Sequence, residues 1–135
     1  MERKTVLVVE DNTDELLIYT TLLSYRGYAI LAATNFETAL TIAREQHPDL
    51  AVVDVNLGDT QRDGCDLVAA FREAGATSTM PIIAHTAFGD VYRRAVESAG
   101  CQAIIHKQST PQVLLDTIER LIGPPTDTPQ NGTAA

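Results

Sequence analysis

No apolar run in the 135-residue sequence approaches the roughly 20 residues that a membrane-spanning helix requires. The start, Met1-Glu2-Arg3-Lys4, leads into only a handful of apolar residues before Glu10, too few for the core of a secretory signal. A cytoplasmic protein is expected. Basic residues are scarce, with 10 Lys and Arg against 18 Asp and Glu and a net charge of −8. Nonspecific binding to nucleic acid or an anionic membrane needs clustered positive charge, so that balance argues against both, and it permits a cation site. Cysteine is nearly absent: Cys65 and Cys101 form neither a metal-ligand spacing nor a disulfide framework, and read as free thiols in a reducing compartment. What remains, 44% apolar and 21% charged residues, suits one soluble globular domain. A chain of this length buries roughly two-thirds of its unfolded surface.

Short apolar runs alternate with amphipathic stretches. The runs are Thr5–Val9, Tyr28–Ala33, Leu50–Val53, Met80–Ala84 and Ala103–His106, rich in Val, Ile, Leu and Ala with little polar alternation. Strands covered by helices on both faces read this way. Between the runs lie punctuated helix signals. Asn12 with Glu15 resembles a capping box and Gly27 a left-handed helix end. Thr34-Asn35-Phe36-Glu37 forms a second capping box, with Pro48 beyond that helix. Gly64 to Ala74 closes at Gly75, and Asp90 to Ala99 at Gly100. Thr110-Pro111 opens a last helix that ends at Ile122 before Gly123-Pro124-Pro125. Strands alternating with helices imply right-handed crossovers and a parallel sheet. Five such units are too few for a closed eight-unit barrel, so an open, doubly wound α/β three-layer sandwich, (βα)5, is predicted. The last segment, residues 124–135, lacks apolar periodicity and is expected to be disordered.

The first strand stops at two adjacent carboxylates, Glu10 and Asp11, and the third stops at Asp54. In open parallel sheets, binding crevices form outside the carboxyl ends of strands. Any one of these acids alone would read as a loop or cap residue. Three on neighbouring strand ends would repel one another in a partly desolvated crevice, which calls for protonation or a cation. Hard oxygens on a small, wet rim suit Mg2+. Lys107 ends the fifth strand and Thr86 the fourth, supplying a point charge and a hydroxyl for phosphate oxygens. Asp54, at the centre of the rim, is the candidate nucleophile for phosphoryl transfer.

Glu10-Asp11, Asp54, Thr86-Ala87 and Lys107, each at a strand end of a (βα)5 chain, closely resemble the receiver domain of two-component response regulators, over about residues 4 to 122. The resemblance implies a receiver domain over residues 1–123 with a flavodoxin-like sheet of order 2-1-3-4-5. It implies that Asp54 accepts a phosphoryl group from a phosphohistidine on a partner kinase or histidine phosphotransfer protein. Asp11, Asp54 and the backbone carbonyl of Asn56 would hold Mg2+, with Glu10 acting mostly through water. Lys107 would pair with the phosphoryl oxygens and Thr86 would move to hydrogen-bond them. No output domain follows in the chain, so the signal is expected to leave through contacts with a downstream protein. In the family, that surface is the one corresponding to Asp90–Ala99, the fifth strand and the last helix.

Three features depart from the family pattern. The loop after Asp54, from Leu57 to Gly64, appears about two residues longer than usual and carries Asp59, Arg62 and Asp63. Gln108 replaces the proline that commonly follows the lysine, so a trans peptide is expected. Ile104 stands where many receivers carry the aromatic side chain of the switch. His47 reads as a helix-end surface residue, and His85 and His106 as core-edge residues that alternation points away from Thr86 and Lys107. Tyr19 and Tyr25 read as packing residues, and Tyr92, Arg93 and Arg94 as a partner surface or a solvated face. Three rival readings meet opposition in the residues. An aspartyl-phosphate hydrolase would want a substrate-capping insertion, and none is long enough. A receiver-like binding module that works without phosphorylation is opposed by the intact acids and lysine. A flavin-binding protein is opposed by the acidic turn EDNTDE, which would repel a flavin phosphate.

Overall fold

The apolar runs form strands because their β-branched and aliphatic side chains fill both faces of a covered sheet. The computed structural model describes residues 3–57, 63–87, 97 and 99–126. Five strands, β1 (Thr5–Val9), β2 (Ala29–Ala33), β3 (Leu50–Asp54), β4 (Ile82–Thr86) and β5 (Ala103–His106), form one parallel sheet of order 2-1-3-4-5. Around it lie α1 (Thr13–Arg26), α2 (Phe36–Gln46), α3 (Gly64–Glu73) and α4 (Pro111–Ile122). On one face α1 and α4 pack Leu23, Leu114 and Ile118 against Val6, Val8, Val52 and Ile83. On the other, α2 and α3 pack Ala39, Ala43, Leu67 and Phe71 against Leu7, Val9, Val53 and Ile82. The expected three layers are present. β3 and β4 are buried throughout, whereas β2 and β5, at the sheet edges, are only partly covered.

Several boundaries differ from the sequence expectation. β4 begins at Ile82 rather than Met80, because the Met80 N–H closes a turn onto the Thr77 carbonyl (3.2 Å) and Pro81 has no N–H for the ladder. Tyr28 lies before β2, its N–H donating to the Leu23 carbonyl behind left-handed Gly27 (φ 112°). Its phenol donates to the Gly123 carbonyl at 3.0 Å. The cap of α2 is Asn35, not Thr34, with its side-chain oxygen accepting from the Thr38 N–H at 2.9 Å. Tyr19 packs edge-on against His85, but Tyr25 is 92% exposed and packs against little. His47 is the exposed, left-handed C-cap of α2. Residues 124–126, expected to begin the disordered tail, are instead tied to the start of β1: the Lys4 N–H donates to the Pro125 carbonyl at 2.7 Å, and Arg3 bridges to Thr126. The rest of the tail lies outside the described residues. So do Asp59, Arg62 and most of the segment Asp90–Ala99, expected to be helical, with Tyr92, Arg93 and Arg94.

Candidate functional site

Parallel pairing aligns the strand ends at one lip. Val9 lies opposite Ala33 and Val53, Asp54 opposite His85, and Thr86 opposite His106. Residues that follow β1, β3 and β5 therefore share one edge of the sheet. Glu10 continues the alternation of Val6 and Val8 and is buried, as is Asp54, while Asp11 is exposed. One carboxylate oxygen from each of these three acids lies within 4.8 Å of the others. Lys107, whose N–H donates to the Thr86 carbonyl at 2.8 Å, brings its ammonium over the acids. The Nζ stands 2.6 Å from Glu10 Oε1, 3.1 Å from Asp54 Oδ2 and 3.0 Å from Glu15 Oε1. The Asn56 N–H donates to Asp54 Oδ1 at 3.1 Å, fixing the other oxygen. Together with Asn12 and Ala87 these groups line a crevice of about 270 Å³.

Four carboxylates face one ammonium here, so the crevice is electronegative. Burial pushes the Glu10 carboxyl up to about 8, a hydrogen bond to Asp54 adds to the rise, and Lys107 opposes it. A proton on Glu10 relieves its repulsion with Asp54, whereas the ionised carboxylate depends on Lys107 at 2.6 Å. Burial alone would lower the Lys107 ammonium, but its bonds to Glu10 and Glu15 and the Asp54 charge more than reverse this, and it is raised overall. His85, behind the site, is pushed down to about 4 by burial, with Lys107 and His106 adding to the fall, and is neutral. The hard oxygens of Glu10, Asp11 and Asp54, partly buried and partly open to water, match the donor set that Mg2+ takes.

Glu10, Asp11, Asp54, Asn56 and Lys107 all line the crevice. Thr86 ends β4 but is fully buried, and its neighbour Ala87 takes the place on the lining. Ile104 packs beside Val55, Ala84, Cys65 and Cys101. Both thiols are free, and burial pushes them up to about 11 and about 12. No described peptide bond is cis. One crevice side chain departs from its sequence pattern: Glu15, which reads as part of a capping box, reaches Lys107 instead. Conversely, Asp63, noted only as a loop charge, caps α3 in a full box with Asp66 (3.0 and 3.1 Å).

Comparison with known proteins agrees with this geometry. Residues 6–119 match the model of the response regulator receiver domain. The polar-differentiation response regulator DivK of Brucella ovis is 31% identical over 123 residues, covering 89% of this chain and 97% of DivK. A putative response regulator from Chloroflexus aurantiacus superposes with a TM-score of 0.82 at 29% identity, covering 90% of this chain and 98% of that one. The receiver domain of the sensor histidine kinase PA1611 from Pseudomonas aeruginosa, solved with a magnesium ion in its active-site cleft, gives 0.81 at 25% identity, covering 91% and 99%. Among the described residues no helix is long and apolar enough to cross a membrane.

Proposed function

We propose, from the premise that this chain belongs to the response regulator receiver domain family of two-component signalling, that Asp54 is its phosphoacceptor. The donor is a phosphohistidine on a histidine kinase or histidine phosphotransfer protein, met in the cytoplasm. The P–N bond of the donor breaks as an Asp54 oxygen forms the new P–O bond, and the imidazole leaves with the electron pair and takes up a proton from solvent. The observation that carries this reading is the Lys107 ammonium bonded to Asp54 and Glu10 above three convergent carboxylates. Lys107 orients the attacking carboxylate through its bond to Asp54 Oδ2 and then meets the phosphoryl oxygens.

Asp11, Asp54 and the Asn56 carbonyl would hold Mg2+, with Glu10 acting through water. When bound, the metal would neutralise charge on the transferred group. The PA1611 receiver, with magnesium in its cleft, supports this assignment. Buried Thr86 would have to turn its hydroxyl toward the phosphoryl group, and that movement, with Ile104 packed against Ala84 in place of an aromatic ring, would alter the contacts offered to a downstream protein. The chain modifies itself once and is not a turnover enzyme. Intact-mass analysis after mixing with a small acyl phosphate and Mg2+ tests the reading. One phosphoryl group is expected on the wild type and none on Asp54→Asn. Catalytic turnover of the donor without a covalent adduct would favour a hydrolase instead.

A further inference from the structure

We propose that Glu15 competes with the incoming phosphoryl group for Lys107, and so sets how readily this receiver is charged; the inference rests on the phosphoacceptor reading of the same site. An ammonium has three protons. Those of Lys107 face three carboxylates, Glu10 at 2.6 Å, Glu15 at 3.0 Å and Asp54 at 3.1 Å. A phosphoryl group on Asp54 needs at least one of these protons, so one carboxylate must release it.

The three partners are not equivalent. The Glu10 and Asp54 side chains are 3% and 7% exposed, whereas that of Glu15 is 36% exposed. Separating the exposed pair returns a carboxylate to water at small cost, while stripping a buried acid of its cation is expensive. Glu15 is therefore the partner that lets go. Its placement also departs from its local role. The Asn12 side chain caps the Glu15 N–H at 3.0 Å, which would ordinarily bring the Glu15 carboxylate back to the Asn12 N–H. That N–H donates to Glu10 Oε2 at 3.3 Å instead, and Glu15 turns across the crevice to Lys107. Once released, its charge stays on the wall of the crevice that the phosphoryl group must enter.

Removing the charge therefore favours anions at Asp54. In Glu15→Gln and Glu15→Ala, the rate of phosphorylation by a dianionic acyl phosphate should half-saturate at a donor concentration about two- to fivefold lower at low salt, with the limiting rate little changed. The advantage should shrink at high salt. Beryllofluoride, titrated calorimetrically with Mg2+ present, should bind both variants tighter by a similar factor. A merely structural role would move neither the salt dependence nor the split between half-saturating donor concentration and limiting rate. Unchanged or weaker beryllofluoride binding, with wild type still phosphorylated on Asp54, would overturn the inference and leave the phosphoacceptor reading standing. Tighter binding in the variants, with no phosphorylation of the wild type, would uphold the role of Glu15 and remove the phosphoacceptor reading.

Discussion

Glu10 is held well above the ordinary carboxylate range, and its titration is open to measurement. Its carboxyl stands at about 8 in the folded protein against 4.5 unfolded, so between those values the folded state binds the extra proton. Stability then falls as pH rises through that interval. His85 acts in the opposite sense. It is neutral down to about 4 when folded but titrates at 6.5 unfolded, so its contribution grows as pH rises from 4 to 6.5. The two oppose each other below 6.5, and Glu10 acts alone from 6.5 to about 8. Without divalent ions, the melting temperature should drop by roughly 5 °C across that upper window, and Glu10→Gln should flatten the profile. A rising profile for the wild type would mean that Glu10 is ionised throughout. Glu10, Asp11, Asp54 and Lys107 were legible in the sequence because each interrupts or ends an apolar run where a parallel sheet has its crevice. Glu15 was not. The pattern Asn-x-x-Glu predicts a local bond, and only the arrival of Lys107, 92 positions along (107 − 15), shows what displaces it.

At the scale of elements, the junction of β3 and α3 decides where Asp54 sits. The Gly64 N–H donates to the Val55 carbonyl at 2.7 Å, and Asp63 and Asp66 cap the helix that starts there. A Cβ at Gly64 would stand 2.3 Å from the Asp54 carbonyl oxygen and 2.7 Å from Val55 Cα, so backbone would have to move. Gly64→Ala should cost about 3 kcal/mol in urea unfolding and weaken Mg2+ binding, because the strand end displaced is the one bearing Asp54. Gly75→Ala, which would meet nothing within 4 Å, is the control and should change stability by less than about 1 kcal/mol. Equal effects of the two substitutions would remove the close-approach argument. The start of α3 at Gly64 followed from the glycine and the amphipathic run after it. The capping box did not, because Asp63 reads equally well as one more polar residue of a long loop. β4 begins two residues after its apolar run does for a similar reason. Met80 and Pro81 extend the apolar run, yet one closes a turn and the other has no N–H to give.

Across the whole molecule, apolar periodicity announced a covered parallel sheet, but the strand order was implied only by the family likeness. Order matters because β1 and β3 must be neighbours for Asp11 and Asp54 to share an ion, and in the sheet they are paired along four residues. The consequence is that distant parts of the chain store repulsion in common. Glu10 and Asp11 follow β1, Asp54 ends β3 and Glu15 opens α1, and Lys107 bonds Glu10, Glu15 and Asp54. A divalent ion that binds this assembled lip and not the unfolded chain stabilises the entire fold by mass action, about 1.4 kcal/mol at ten times its dissociation constant. The melting temperature should therefore rise by roughly 3–5 °C across millimolar Mg2+, more at pH 8 than at pH 6.5, since an ionised Glu10 attracts the ion more strongly than a protonated one. Asp11→Asn should abolish most of the rise, because it removes a ligand while leaving the Lys107 bonds to Glu10 and Asp54 in place. A wild-type melting curve unmoved by Mg2+ at pH 8 would mean that Lys107 and the retained proton already satisfy the acids, and that the lip does not gather a metal.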